Sequence, residues 1–167
     1  NYIVPGYDSY LNEIQSFEQA LLTFKNSPSQ VELENLRDQY LIALKIWQTV
    51  SFLDFGPANN IALIGQTNTY PVDTTLILDN IALGGYSLAA GNQYVAKGWQ
   101  SLDYLLYKEN TTADCLSYLI SDPNIILYLE DVVTDLKVNT EYVVNSWSTY
   151  GPESVSYTHL TLPTKVT

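Results

Sequence analysis

The side chains best suited to chemistry lie in one short segment, Gly98-Trp99-Gln100-Ser101-Leu102-Asp103. Gln100 and Asp103 are three residues apart, so on a helix they would share one face. An amide carbonyl and a carboxylate are hard oxygen ligands that suit a metal cation, although a complete site needs further ligands. The segment therefore predicts a site for a ligand or a metal ion that is completed by groups from elsewhere.

The common catalytic motifs are missing from the sequence. It has no glycine-rich phosphate loop, no Cys-x-x-Cys pair and no His-Glu-x-x-His motif. Cys115 is the only cysteine, which excludes an intramolecular disulfide and a thiolate metal cluster, and we interpret it as an inert buried thiol. We therefore assign no catalytic residue.

The chain is strongly acidic. Its 167 residues include 18 acidic and 7 basic side chains, and the net charge is -11. Such a charge repels phosphate backbones and anionic lipid headgroups, so we expect no nucleic-acid partner. Metal ions and cationic partners are compatible with it, but solubility alone would also explain it. The sequence has no apolar run long enough to form a transmembrane segment.

We expect both ends of the chain to be incomplete. The sequence starts at Asn1 and contains no methionine, so a signal or lipid-attachment segment is expected before it. Residues 156–165 resemble translated sequencing-adapter read-through, and we predict that residues 156–167 form a non-native or disordered tail. His159 is the only histidine and lies in this tail, so we exclude it as a catalytic base or metal ligand.

Apolar residues recur at spacings of three and four along most of the chain, which is the pattern of amphipathic helices. Ser29 and Glu32 predict a capping box at the second helix, in which each side chain accepts a bond from a backbone N–H. Residues 58–72 lack this periodicity and predict an ordered loop with a single helical turn. Asp73 is predicted to cap the helix that follows. The predicted helices cover residues 7–24, 30–50, 74–83, 95–107, 111–120 and 123–151. They predict an all-α bundle of about four main helices with shorter inserts.

Three stretches follow the pattern of a known family. The first runs from Leu36 to Gln48 and leads into Phe55-Gly56-Pro57-Ala58, the second is Tyr70-Pro71-Val72-Asp73, and the third runs from Lys97 to Tyr107. Together they span most of residues 7–107. They resemble the imelysin-like family, also known as the M75 peptidases, which includes bacterial iron-regulated periplasmic and outer-membrane proteins.

The third stretch resembles the family signature Gly-x-His-x-x-Glu. Gly98 matches the glycine, Gln100 stands at the histidine and Asp103 stands at the glutamate. Asp keeps a carboxylate on a shorter arm, whereas Gln lacks the imidazole that would ligate a metal or act as a base near neutral pH. The resemblance therefore implies binding more than peptidase chemistry. We predict Gly98, Trp99, Gln100, Asp103 and Trp47 as ligand-binding residues, with Gln100 and Asp103 as metal ligands.

Each of these residues also has a purely structural explanation. Gly98 would permit close helix packing, and Gln100 would be a solvated polar position. Asp103 would favour the start of a helix through its charge. Trp47 and Trp99 would be core residues. The sequence leaves these alternatives open.

The resemblance implies an all-helical fold of two bundle-like halves with the site between them. Residues 1–155 would supply the first half, truncated at both ends, and the second half would supply further ligands. The implied function is a non-catalytic binding component of iron or haem uptake in the periplasm, the outer membrane or the cell surface, with a lipoprotein anchor as one mode.

The ligand implied by the resemblance is iron, haem or another divalent metal, bound as an ion or as a complex. The implied protein partners are other envelope proteins of iron uptake. An M75-type metallopeptidase and an envelope adhesion or scaffold module are the alternatives.

Overall fold

The computed structural model describes residues 2–159, with side chains described for residues 2–149. This part of the chain contains eight α-helices, one 3-10 helix and no strand, which confirms the predicted all-α fold. The helices are α1 (Ile3–Asn26), α2 (Gln30–Val50), α3 (Pro57–Asn60), α4 (Leu63–Thr67), α5 (Thr74–Leu83), the 3-10 helix (Gly91–Ala96), α6 (Trp99–Leu106), α7 (Thr112–Leu119) and α8 (Pro123–His159). Within residues 2–159, none of the helices combines the length and apolarity needed to cross a membrane.

α1 and α2 form an antiparallel hairpin that is held by their apolar stripes. Ser29 caps α2 as predicted, since its Oγ accepts a bond of 3.1 Å from the Glu32 N–H. The other half of the predicted capping box does not form. The Glu32 carboxylate accepts a bond of 3.2 Å from Asn35 Nδ2 instead, because that donor lies one turn further along the same helix.

α8 is the third long helix and packs along α1. A partly exposed ion pair of 2.7 Å between Lys137 Nζ and Glu18 Oε1 joins the two helices. We predicted that the last helix would end at Gly151-Pro152, and this prediction was wrong because α8 continues to His159. Proline keeps a helical φ and removes one backbone hydrogen bond, so it weakens a helix without forcing it to stop.

The predicted tail, residues 156–167, lies only partly within the described chain. Residues 156–159 belong to α8, and residues 160–167 lie outside the described residues. The domain boundary after residue 155 therefore stays a prediction.

The segment between α2 and α5 is more helical than we predicted. Residues 58–72, predicted as a loop with a single turn, contain most of α3 and all of α4, and Ala62 between them has a left-handed φ of +51°. Asp73 caps α5 as predicted, because its Oδ1 accepts a bond of 3.0 Å from the Leu76 N–H. Short helices of this length give little periodicity, which explains why the sequence pattern did not reveal them.

The helix that holds the candidate segment starts later than predicted. We predicted one helix over residues 95–107, but α6 starts at Trp99 and a 3-10 helix precedes it. Gly98 between them has a φ of +78°, which takes the chain off the helical path. The break at Gly98 starts α6 against the end of α4, beside the candidate site.

Candidate functional site

Gly98 joins the 3-10 helix to α6 and lies against the end of α4. Its φ of +78° is one that residues with a side chain rarely adopt. A Cβ atom built on Gly98 would lie 2.2 Å from Thr67 O and 2.6 Å from Thr67 C. The close approach of α4 to α6 therefore accounts for the glycine of the signature, and a ligand role for Gly98 stays a prediction.

The two candidate tryptophans belong to an aromatic core between α1, α2 and α6. Trp99 is fully buried, and its Nε1 donates a hydrogen bond of 2.9 Å to the Tyr10 hydroxyl. The Trp99 ring centroid lies 5.9 Å from that of Phe17, and the Trp47 centroid lies 5.3 Å from that of Tyr10. Packing accounts for Trp99, whereas Trp47 also lines the surface groove at Gln100.

The Tyr10→Phe variant is expected to lose about 1 to 3 kcal/mol of unfolding free energy, because the buried Nε1 of Trp99 would lose its acceptor. Urea denaturation followed by tryptophan fluorescence measures this loss. Tyr2→Phe is the matched control, since the Tyr2 hydroxyl also forms a hydrogen bond, donated to the Thr49 carbonyl, but is exposed. Its effect is expected to be below about 0.5 kcal/mol. Equal losses in both variants would contradict the importance of the buried bond.

Gln100 borders an open groove formed by the end of α2, by α4 and by the start of α6. Its Nε2 donates a bond of 2.9 Å to Asn68 Oδ1, so the two amides hold each other in place. The groove has a volume of about 350 Å³ and is lined by Leu44, Trp47, Gln48, Ser51, Phe52, Ile64, Asn68 and Gln100. The fold therefore brings two of the predicted ligand-binding residues, Gln100 and Trp47, to one surface.

The donor set of this groove does not fit a bare metal ion. Among the described residues, its polar lining side chains are three amides, one hydroxyl and the Trp47 indole, and none of its lining side chains is charged. Proteins hold iron and divalent ions mainly through carboxylates, imidazoles and thiolates. The described part of the chain also contains no group of three or more His, Cys, Asp or Glu residues that could hold an ion. The groove suits a ligand that is bound by neutral hydrogen bonds and apolar contacts.

Asp103 lies on the next turn of α6 but does not line this groove. Its side chain is exposed and faces the buried hydroxyl of Tyr40. Burial raises the pKa of Tyr40, and the Asp103 charge raises it further. The Tyr40 hydroxyl is also 3.5 Å from Trp99 O, which is long for a hydrogen bond. Gln100 and Asp103 thus share a helix but have different neighbours.

Comparison with known proteins identifies the family. Residues 3–160 match the model of the peptidase M75 family, described as Imelysin. The chain belongs to the imelysin family. Iron-regulated protein A of Synechococcus elongatus is 24% identical over 145 residues, which cover 87% of this chain and 37% of that protein. The chain therefore spans little more than a third of the length of the curated relative it matches. No solved structure matches it.

Arg37, within the first stretch that resembles the imelysin family, positions the far end of α6. Its Nε and Nη2 donate bonds of 3.1 Å and 2.7 Å to Leu106 O, in the last turn of α6. The guanidinium also lies 4.6 Å from the centroid of the Tyr107 ring. Carbonyls at the C-terminal end of a helix have no partner within the helix. A buried arginine that donates to such a carbonyl stabilises the last turn of α6 and fixes its position against α2.

Sequence reasoning missed a role for Lys97, the residue before the glycine of the imelysin signature. Lys97 is fully buried, and its Nζ donates bonds of 2.6 Å to Gln66 Oε1 and 3.0 Å to Asp135 Oδ1. Burial raises the pKa of the Asp135 carboxyl, and Lys97 opposes this rise. The available signal was a single lysine between apolar residues. Its partner could not be identified because Asp135 lies 38 residues further along, on another helix.

Proposed function

We propose that this imelysin-family chain is part of a non-catalytic binding protein of the cell envelope that acts in iron or haem uptake. Membership of the family supports the proposal, and the curated relative is named an iron-regulated protein. The proposed location is the periplasm, the outer membrane or the cell surface. The proposed partners are an iron-bearing ligand and other envelope proteins of iron uptake.

The chemistry of Gln100 supports binding over catalysis. An M75-type peptidase centre would need a metal-bound water and a group that takes up a proton near neutral pH. The amide of Gln100 cannot take up that proton, and one of its hydrogens is bonded to Asn68. Its groove, as far as the described residues form it, has only neutral polar groups. Such a surface can hold and orient a ligand, but it cannot activate water.

The complete protein is expected to bind at least one iron-bearing ligand. Calorimetric titration with ferric nitrilotriacetate, ferric citrate, haem and a neutral ferric trihydroxamate would measure this binding, with zinc chloride as the control without iron. If none of these iron ligands binds, the proposed role in iron uptake is wrong.

Peptide cleavage distinguishes the proposal from the metallopeptidase alternative. The complete protein is expected not to cleave an unstructured substrate such as casein, with or without added metal. Metal-dependent cleavage that is lost in Asp103→Ala would contradict the proposal. If binding of a protein partner survived both Gln100→Ala and Asp103→Ala, that result would favour a scaffold or adhesion role over the proposed role in iron uptake.

The Asp103→Asn variant tests direct ligation of a metal, which the signature predicts for Gln100 and Asp103. This change removes the charge and keeps the size of the side chain. Loss of iron binding in Asp103→Asn, with thermal stability unchanged, would support coordination by Asp103 together with ligands from outside the described residues.

A further inference from the structure

We infer that the groove at Gln100 binds iron enclosed in an uncharged organic chelate, through amide or hydroxyl groups on the outside of that chelate. This inference rests on the proposed function and specifies the class of its ligand. The surface called the amide groove below is the one lined by Leu44, Trp47, Gln48, Ser51, Phe52, Ile64, Asn68 and Gln100.

The amide groove offers fixed hydrogen-bonding groups. The bond between Gln100 Nε2 and Asn68 Oδ1 orients both amides and leaves Gln100 Oε1 as an acceptor and Asn68 Nδ2 as a donor. Ser51 Oγ donates a bond of 3.3 Å to the Gln48 carbonyl, so its own lone pairs stay available as acceptors. Donors and acceptors therefore stand on two sides of the same groove, which matches a ligand that carries both kinds of group.

The apolar side of the amide groove is also held in place. Phe52 is 67% exposed and Ile64 is 41% exposed, although both have large apolar side chains. The Tyr2 ring stacks on Phe52 with centroids 6.4 Å apart, and the Tyr2 hydroxyl donates a bond of 3.1 Å to Thr49 O. Because Tyr2 supports Phe52 from outside the groove, the phenyl ring forms a firm wall for the methylene groups of a ligand.

The neutral lining of the groove and the negative charge of the chain disfavour bare and anionic forms of iron. A bare ferric ion needs anionic or imidazole ligands, which the described lining of the amide groove does not contain. Ferric citrate, catecholate complexes and haem carry carboxylates or a net negative charge, and the chain itself has a net charge of -11. Four basic side chains are engaged with carboxylates, namely Lys25, Arg37, Lys97 and Lys137. None of the basic residues in the described chain lines the groove, so an anionic iron complex would meet an electrostatic penalty that an uncharged chelate avoids.

The size of the amide groove agrees with this ligand class. Its volume of about 350 Å³ lies at the lower end of the range of small-molecule clefts. Because the groove is open, it would hold one face of a chelate while the metal stays enclosed within the organic shell. Recognition would then depend on the shell and not on the metal.

Titration of the complete protein with the neutral ferric trihydroxamate ferrichrome and with its gallium form tests this inference. Both forms are expected to bind with dissociation constants within about threefold of each other, because both present the same organic surface. Ferric citrate and haem are expected to bind at least about tenfold more weakly, because they carry negative charge. Tryptophan fluorescence and calorimetry give the dissociation constants.

A matched pair of variants assigns the binding to the groove. Gln100→Glu is expected to weaken ferrichrome binding at least about tenfold, because the new carboxylate must lose water when the ligand covers it. Gln15→Glu makes the same change of charge at an exposed position of α1 outside the groove, and it should leave binding within about twofold. Thermal melts of both variants show whether they remain folded.

The outcomes separate this inference from the proposed function. If haem, ferric citrate or ferric nitrilotriacetate binds and ferrichrome does not, the inference is wrong and the proposed function stands. If no iron-bearing ligand binds, the proposed function fails and the inference fails with it. If ferrichrome binds equally well to Gln100→Glu and Gln15→Glu, the ligand lies outside the amide groove and the inference is wrong.

Discussion

The Gly98→Ala variant is expected to lose roughly 3 to 5 kcal/mol of unfolding free energy. Two effects add at this position. The φ of +78° is unfavourable for alanine, and the new Cβ would lie 2.2 Å from Thr67 O. The clash involves backbone atoms, so no side-chain rotation relieves it and α4 must move away from α6. Urea denaturation and thermal melts measure the loss.

Two glycines separate these effects. Gly85 has a φ of +68° with no atom close to a built Cβ, and Gly91 has neither a left-handed φ nor a close atom. We expect Gly85→Ala to lower the free energy of unfolding by roughly 1 kcal/mol, and Gly91→Ala to lower it by less than that. If Gly98→Ala cost no more than Gly85→Ala, the close contact with Thr67 would not exist in the folded protein.

The same substitution should impair the site. Asn68 directly follows Thr67, so a shift of this backbone would separate the Asn68 amide from Gln100. Under conditions where Gly98→Ala remains folded, the ferrichrome binding that we propose for the amide groove is therefore expected to weaken. Circular dichroism establishes the folded fraction before each titration.

The Lys97→Met variant is expected to lose about 3 to 5 kcal/mol of unfolding free energy, because the Asp135 carboxylate would be left largely buried without its cation. The Asp135 side chain is only 15% exposed and its partner is fully buried. The double variant Lys97→Met/Asp135→Leu should recover most of the stability, since it removes both charges together. A double variant as unstable as the single one would show that packing, and not the unpaired charge, determines the loss.

An exposed ion pair provides the matched control for Lys97. The side chains of Lys137 and Glu18 are 26% and 32% exposed, and they form a pair of similar length. The Lys137→Met variant is expected to lose less than about 1 kcal/mol, because water screens this pair. A loss as large as that of Lys97→Met would contradict the role assigned to burial.

The pH dependence of the Lys97→Met variant gives an independent check. Burial raises the pKa of Asp135 above its ordinary value, so the folded state binds a proton more readily than the unfolded state. The stability contributed by this titration is present at acidic pH and is lost as the pH rises through the folded-state pKa. Removing the Lys97 charge should raise this pKa further. The loss of unfolding free energy in Lys97→Met, relative to the unchanged protein, is therefore expected to be smaller near pH 4 than near pH 7. Urea denaturation at both pH values measures it.

Features that depend on neighbours within one helix were predicted well. The apolar stripes of α1 and α2 and the caps at Ser29 and Asp73 were found where the sequence placed them, because each arises between residues three or four apart. The errors lie where local rules compete. Gly98 divided a predicted helix, Gly151-Pro152 did not end one, and Glu32 bonded to Asn35 instead of completing its capping box.

The sequence by itself determined that this chain is all-α, that it belongs with the imelysins, and that Gln100 stands at the histidine of the signature, since patterns and residue types are local properties. Only the tertiary structure decided the partners of these residues. Asn68 meets Gln100, Asp135 meets Lys97 and Thr67 approaches Gly98 because α4, α6 and α8 pack together. Those contacts depend on how separate helices are placed against one another, and no spacing along the chain encodes that placement.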